Sequence, residues 1–98
     1  MIYVIATIYT LLGQAAALIA GARTCIDATR REDGCISYDY VQDTERPDIV
    51  MVVERWSSRE ALAAHFHVPH LNQWREARKP LVRSTRVEII TPGKVEVL

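Results

Sequence analysis

Three histidines, the only ones in the chain, stand within six positions as His65, His67 and His70. Imidazole titrates near neutral pH, so it suits both proton transfer and metal binding. The spacing H-x-H-x-x-H is a weak metal signal by itself, because no cysteine and no acidic residue lies between Glu60 and Glu76. We therefore predict proton-transfer chemistry, no metal site and no bound cofactor.

Helical periodicity predicts where each histidine points. Leu62 and Phe66 are i,i+4 neighbours on the face expected to meet a sheet, and His65 lies beside them. His67 is about 200° further round the helix and is expected in solvent. His65 is then either a hydrogen-bonded core histidine or a catalytic base, and the pattern leaves both open. If the helix unwinds after Phe66, His65 and His70 can approach one cavity.

Trp56, one of two tryptophans that bracket the histidines, is the second catalytic candidate. It shares strand parity with Glu54, so both side chains face one way. The indole either packs in the core and finds one acceptor, or forms a wall with a donor for an aromatic ligand. Glu54 is either an ion-pair partner or the carboxylate that orients His65. The candidate substrate-binding residues are Tyr38, Glu54, Phe66, His70 and Trp74.

Length and composition narrow the function classes. The 98 residues predict one domain, 1–98, and 12 basic against 12 acidic side chains give no bulk attraction for nucleic acid or membrane. Cys25 and Cys35 lack the number and spacing of a disulfide or metal framework, so they are expected as free thiols in the cytoplasm. The uncharged N-terminus could pass for a membrane span, but its composition changes at Gly13-Gln14 from β-branched to alanine-rich. It predicts a strand and then a helix.

The remaining pattern predicts a β-α-β-β-α-β order, the ferredoxin-like split α+β fold with an antiparallel sheet. Ser57 and Glu60 are expected to form a capping box, and Ile36, Tyr38 and Tyr40 to share one strand face. The predicted strands are 2–9, 35–41, 49–56 and 86–90, and the predicted helices are 14–31, 58 to 66 or 67, and 70–79.

Both faces of the predicted sheet are apolar, whereas the helices can cover only one. Either Val50 and Val52 or Ile49, Met51 and Val53 would be left bare. An open apolar face of this kind favours burial against a second copy of the chain. We therefore predict a homodimer.

Three segments resemble the antibiotic biosynthesis monooxygenase family, and especially its small quinol monooxygenase branch. They are E-D-G-C-I-S-Y (32–38), V-V-E-R-W-S-S-R-E-A-L-A-A-H-F-H-V-P-H-L (52–71) and R-V-E-I-I-T-P-G (86–93). The resemblance implies a dimeric α+β barrel that oxidises a quinol or polycyclic phenol with O₂, without flavin, haem or metal. His65 would then be the base, and Trp56, with Tyr38 or His70, would bind substrate oxygens.

Departures from the family's branches leave the substrate open. The actinorhodin-pathway member has Asn and Tyr where this chain has Val52 and Leu62. Haem-degrading members have Asn, Trp and His at Thr7, His65 and Arg75, which argues against haem degradation. A third branch, with a similar H…P-H pattern, isomerises a phosphorylated signalling compound. That activity and a non-catalytic small-ligand-binding barrel remain the alternatives.

Overall fold

A four-stranded antiparallel sheet carries the helices on one of its faces. The computed structural model describes all 98 residues, and its strand order is β2-β3-β1-β4. This confirms the predicted ferredoxin-like α+β fold. The strands are β1 (Ile2–Thr10), β2 (Cys35–Gln42), β3 (Ile49–Trp56) and β4 (Val82–Ile90); the helices are α1 (Ala15–Gly21), α2 (Arg23–Thr29), α3 (Arg59–His65) and α4 (Pro69–Arg78), followed by a 3₁₀ turn (Lys79–Leu81).

Alternating burial along the central strands defines the core. Every second residue of β1 and β3 is buried beneath the helices, as at Val4, Ile8 and Val52. The residues between them, such as Ile5 and Val53, lie on the opposite face and stay partly exposed. The sheet thus keeps the open apolar face from which the dimer was predicted.

The last strand begins earlier than predicted, at Val82 rather than at residue 86. Residues 83–86 are Arg-Ser-Thr-Arg, which carry no apolar strand pattern. They are strand because their backbone pairs with β1, in the register Thr7 to Arg86 and Ile8 to Thr85. Backbone pairing overrides the side-chain signal here.

The helix predicted over 14–31 is divided at Ala22 into α1 and α2. The backbone ladder nevertheless continues through this point, because Ala22 N–H bonds Leu18 and Ile26 N–H bonds Ala22. None of the helices combines the length and the apolar content needed to cross a bilayer.

The start of α3 differs from the predicted capping box by one residue. Ser58, not Ser57, has the extended backbone of a cap, and its hydroxyl oxygen accepts the N–H of Ala61 at 3.1 Å. Only Ser57 satisfies the S-x-x-E pattern, because Glu60 stands three residues after it whereas Ala61 stands three residues after Ser58. The pattern therefore selected the wrong serine. Glu60 lies in the first turn, where its charge is favourable beside the helix dipole.

A β-bulge separates Ile36 from the strand face on which it was predicted. Cys35 pairs with Trp56 and Ser37 with Arg55, so one extra residue stands between two consecutive pairs. Ile36 is consequently 56% exposed, whereas Tyr38 is buried. The bulge restores the parity that directs Tyr38 beneath the helices.

Candidate active site

The joint between α3 and α4 brings two of the three histidines together. Val68 has an extended backbone and Pro69 is the first residue of α4, so α3 ends before Val68, as predicted. His65 therefore lies in the last turn of α3 and His70 in the first turn of α4. His67, between them, is exposed as expected.

Glu32, which was not among the predicted site residues, connects the two histidines. One oxygen of its carboxylate, Oε2, lies 2.8 Å from Nδ1 of His65 and 2.8 Å from Nε2 of His70. Glu32 belongs to the turn between α2 and β2, 33 and 38 residues away from its partners. In the sequence, the only indication that Glu32 belongs to the site is its place beside Gly34, just ahead of the strand that pairs with β3.

Aromatic rings surround His65, which is only 2% exposed. The ring centroid of Trp56 lies 4.7 Å away, that of Tyr38 lies 5.6 Å away at an edge-to-face angle, and that of Phe66 lies 6.0 Å away. Burial lowers the pKa of His65 below its ordinary value, and the hydrogen bond to Glu32 opposes this shift. The imidazole is therefore neutral, and available as a base, at neutral pH.

Glu54 is the partner of Trp56 rather than of a cation or of His65. Its Oε1 accepts the indole N–H of Trp56 at 2.9 Å, and both side chains are buried. Neither role expected for Glu54, ion pairing or orienting His65, is seen. The indole N–H is also already used, so it is not free for a ligand. Burial raises the pKa of Glu54 to about 7, although the Trp56 hydrogen bond lowers it.

Trp74 and His70 line a neighbouring cavity of about 180 Å³ between α1, α2 and α4. The indole N–H of Trp74 donates to the hydroxyl of Tyr40 at 3.0 Å. Burial raises the pKa of both Tyr40 and Tyr38, so both hydroxyls keep their protons at neutral pH. The cavity is lined by Gly21, Thr24, Cys25, His70, Gln73, Trp74 and Ala77.

The structure thus brings the predicted site residues into one region, in two groups. His65, Trp56, Tyr38 and Glu54 lie together between sheet and helices. His70 and Trp74 lie at the cavity, and Glu32 joins the groups through His70. Phe66 is half-buried at the edge, with the guanidinium of Arg75 5.7 Å from its ring.

Glu32, His65 and His70 are also the one group of side chains able to hold a metal ion, since their donor atoms lie within 4.8 Å of one another. Two imidazoles and a carboxylate are a common donor set for divalent transition metals. Here, however, both nitrogens lie at hydrogen-bond distance from one shared oxygen. The sequence left open that His65 and His70 approach one cavity if the helix ends after Phe66, and they do so, whereas His67 points away as predicted. The acidic partner Glu32 was not expected. Absence of a metal stays a prediction.

The fold and the enclosed histidine cluster define a small α+β protein with a site between its sheet and its helices. The family model of the antibiotic biosynthesis monooxygenases matches residues 1–77, and the chain belongs to that family. This confirms the resemblance predicted from the sequence segments.

Individual relatives agree with this assignment. The probable quinol monooxygenase YgiN of Escherichia coli is 30% identical over 103 residues, which span 95% of this chain and 99% of YgiN. The protein sll1783 of Synechocystis is 34% identical over 64 residues, 65% of this chain and 44% of that protein. Among solved structures, Rv0793 from Mycobacterium tuberculosis has a TM-score of 0.87 at 31% identity, with 98% of each chain covered.

Proposed function

We propose that the protein is a cofactor-independent monooxygenase that oxidises a quinol or polycyclic phenol with O₂. The observation that carries this proposal is His65, a neutral imidazole enclosed by aromatic rings and paired with a carboxylate. Membership of the family and the similarity to YgiN support the same reaction class.

The reaction balances without an external reductant. A hydroquinone with a free ring C–H gives a hydroxyquinone and water with one O₂, because the substrate supplies all four electrons. One oxygen atom enters the product and the other leaves in water. Deprotonation of the phenol is the step that needs the protein, since a phenolate passes an electron to O₂ more readily than the neutral phenol.

His65 is the base in this scheme. The aromatic rings of Trp56, Tyr38 and Phe66 exclude water from the imidazole, which strengthens its interaction with a developing phenolate. Tyr38 keeps its proton and can donate it to a substrate oxygen. Because the pKa of His65 lies below its ordinary value, the activity is expected to be constant at neutral pH and to fall only in acid.

The substrate would enter at the cavity between α1, α2 and α4, which His70 and Trp74 line. A volume of about 180 Å³ suits one or two fused rings better than a larger polycycle. A dihydroxynaphthalene is therefore the first substrate to try.

The test compares His65→Ala with His67→Ala, a matched change at an exposed histidine two residues away. Removing a general base costs about 10²–10⁴ in rate. His65→Ala should slow oxygen uptake with a dihydroxynaphthalene at least tenfold, and His67→Ala should change little. With ¹⁸O₂, one labelled atom should enter the product.

Two outcomes would contradict the proposal. If the wild-type protein consumes no phenol or quinol above the uncatalysed rate, a binding module or an isomerase becomes the better assignment. If both histidine variants lose activity equally, His65 is not the base.

A further inference from the structure

We propose that Glu32 is a positioning residue that holds His65 in a single tautomer, with hydrogen on Nδ1 and the lone pair on Nε2, while His70 anchors the Glu32 carboxylate. The inference rests on the proposed function only for its catalytic consequence. The tautomer itself follows from the contacts.

The shared oxygen of Glu32 determines which nitrogen of each imidazole carries hydrogen. A carboxylate oxygen carries no hydrogen to donate, so each nitrogen that lies 2.8 Å from Oε2 must be the donor. A neutral imidazole has only one N–H. A neutral His65 therefore has its lone pair on Nε2.

Nε2 of His65 is the ring nitrogen left without a partner in the protein. It makes no hydrogen bond within the protein, since Nδ1 makes the only bond of this side chain. No fully buried side-chain nitrogen or oxygen of the chain lacks a partner. Nε2 must therefore keep some of the small exposed area of His65, and it is the nitrogen that remains to take a phenolic proton.

The two histidines alone hold the Glu32 side chain. The side chain is 12% exposed, and its carboxylate has no lysine or arginine within ion-pair distance. Charge-assisted hydrogen bonds from α3 and α4 fix it from two directions. Without His70, whose side chain is 25% exposed, Glu32 would keep one bond and could turn into solvent.

Proton uptake by His65 is governed by the groups around it. Glu32 raises its pKa, whereas burial and the charges of His70 and Arg75 lower it. The ionisable side chains on the sheet side are Tyr38, whose ring centroid lies 5.6 Å from that of His65, and Glu54, whose carboxyl accepts the N–H of Trp56. Glu32 is thus the only group shown to favour the imidazolium that forms when Nε2 takes the phenolic proton. Removing its charge should lower the pKa of His65 further and move the acid limb of the pH–rate profile to lower pH.

The experiment uses ¹⁵N-histidine-labelled protein and long-range ¹H–¹⁵N spectra, which report the tautomer and titration of each imidazole without any turnover. The variants are Glu32→Ala, Glu32→Gln and His70→Ala, with His67→Ala as the matched control. Glu32→Gln keeps an acceptor oxygen and removes the charge, whereas Glu32→Ala removes both. Comparison of the two variants therefore separates the effect of the hydrogen bond that orients His65 from the effect of the negative charge of Glu32.

We expect wild-type His65 to be wholly in the Nδ1–H tautomer. Glu32→Gln should preserve that tautomer and lower its pKa. Glu32→Ala should give mixed tautomers and reduce kcat at least about tenfold, as loss of the orienting group does in other histidine bases. His70→Ala should broaden or shift the His65 signals, and His67→Ala should leave them unchanged.

An Nε2–H tautomer in the wild-type protein would overturn the inference, as would an unchanged tautomer in Glu32→Ala or a metal-bound Nδ1. If Glu32→Ala does not fold, the spectra of the wild type and of Glu32→Gln still show which tautomer His65 adopts and whether the charge of Glu32 raises its pKa. A correct tautomer in a protein that oxidises no quinol would instead count against the proposed function alone.

Discussion

The indole of Trp74 lies directly against the backbone of Gly21. A Cβ at position 21 would stand 2.9 Å from two carbons of the six-membered ring, Cη2 and Cζ3. The absent side chain of Gly21 is what lets α4 lie close enough to α1 for the tryptophan to pack, and both residues line the cavity.

Gly21→Ala should consequently destabilise the protein. Alanine gains up to about 1 kcal/mol in helix propensity, but overpacking a rigid ring costs about 1–3 kcal/mol. We expect a lower urea midpoint and altered tryptophan fluorescence. Trp74→Leu removes the ring that a Cβ at position 21 would meet. It should therefore lower the free energy of unfolding less in the Gly21→Ala protein than in the wild type. A more stable Gly21→Ala protein would contradict the close packing.

Glu54 should make stability depend on pH. Its pKa is raised from 4.5 to about 7 in the folded protein. For a raised pKa, the stabilising contribution is complete below the unfolded value of 4.5 and is lost as the pH rises through about 7. The full shift corresponds to about 3 kcal/mol.

Glu54→Gln removes this titration while keeping an oxygen acceptor for Trp56. The free energy of unfolding of the wild type, measured with urea, should fall relative to Glu54→Gln between pH 4.5 and pH 7. Glu60→Gln, at an exposed position, is the control and should follow the wild type. Parallel curves for wild type and Glu54→Gln would show that Glu54 is not desolvated.

The open sheet face should form a homodimer. Sedimentation equilibrium at micromolar concentration should give about twice the chain mass of 11.1 kDa. Val53→Lys places a charge on that face, beside Ile5, without entering the core, and should give a folded monomer. Leu12→Lys, at a position that is 89% exposed in a turn, is the control. If the wild-type protein is a monomer, the open sheet face is not a dimer interface.

We also expect the purified protein to carry neither a metal nor a coloured cofactor. The donor atoms of Glu32, His65 and His70 satisfy one another as hydrogen-bond partners. Elemental analysis should give well below one metal per chain, and the visible spectrum should be featureless. Stoichiometric zinc or iron, lost in Glu32→Gln, would mean that the three residues are ligands.

The sequence predicts the order of elements well, because local patterns determine it. Strand β3 was predicted with its observed bounds, and the burial of His65 followed from the Leu62 stripe. The features that were missed depend on non-local pairing. The bulge at Ile36 exists only relative to β3, and the hydrogen bonds of Glu32 require α3 and α4 to be in place. For contacts across 33 and 38 residues, the sequence offers no pattern beyond the place of Glu32 beside Gly34 and just ahead of β2.

The origin of the cluster in two parts of the chain has a consequence for fragment complementation. Glu32 comes from residues 1–42, whereas His65 and His70 come from residues 49–98, and the polar turn 43–48 joins them. The parts interlock, because β1 lies between β3 and β4. A chain split at that turn would yield one fragment with the carboxylate and another with both imidazoles. The tautomer of His65 would then report whether the two fragments had reassembled into the native sheet.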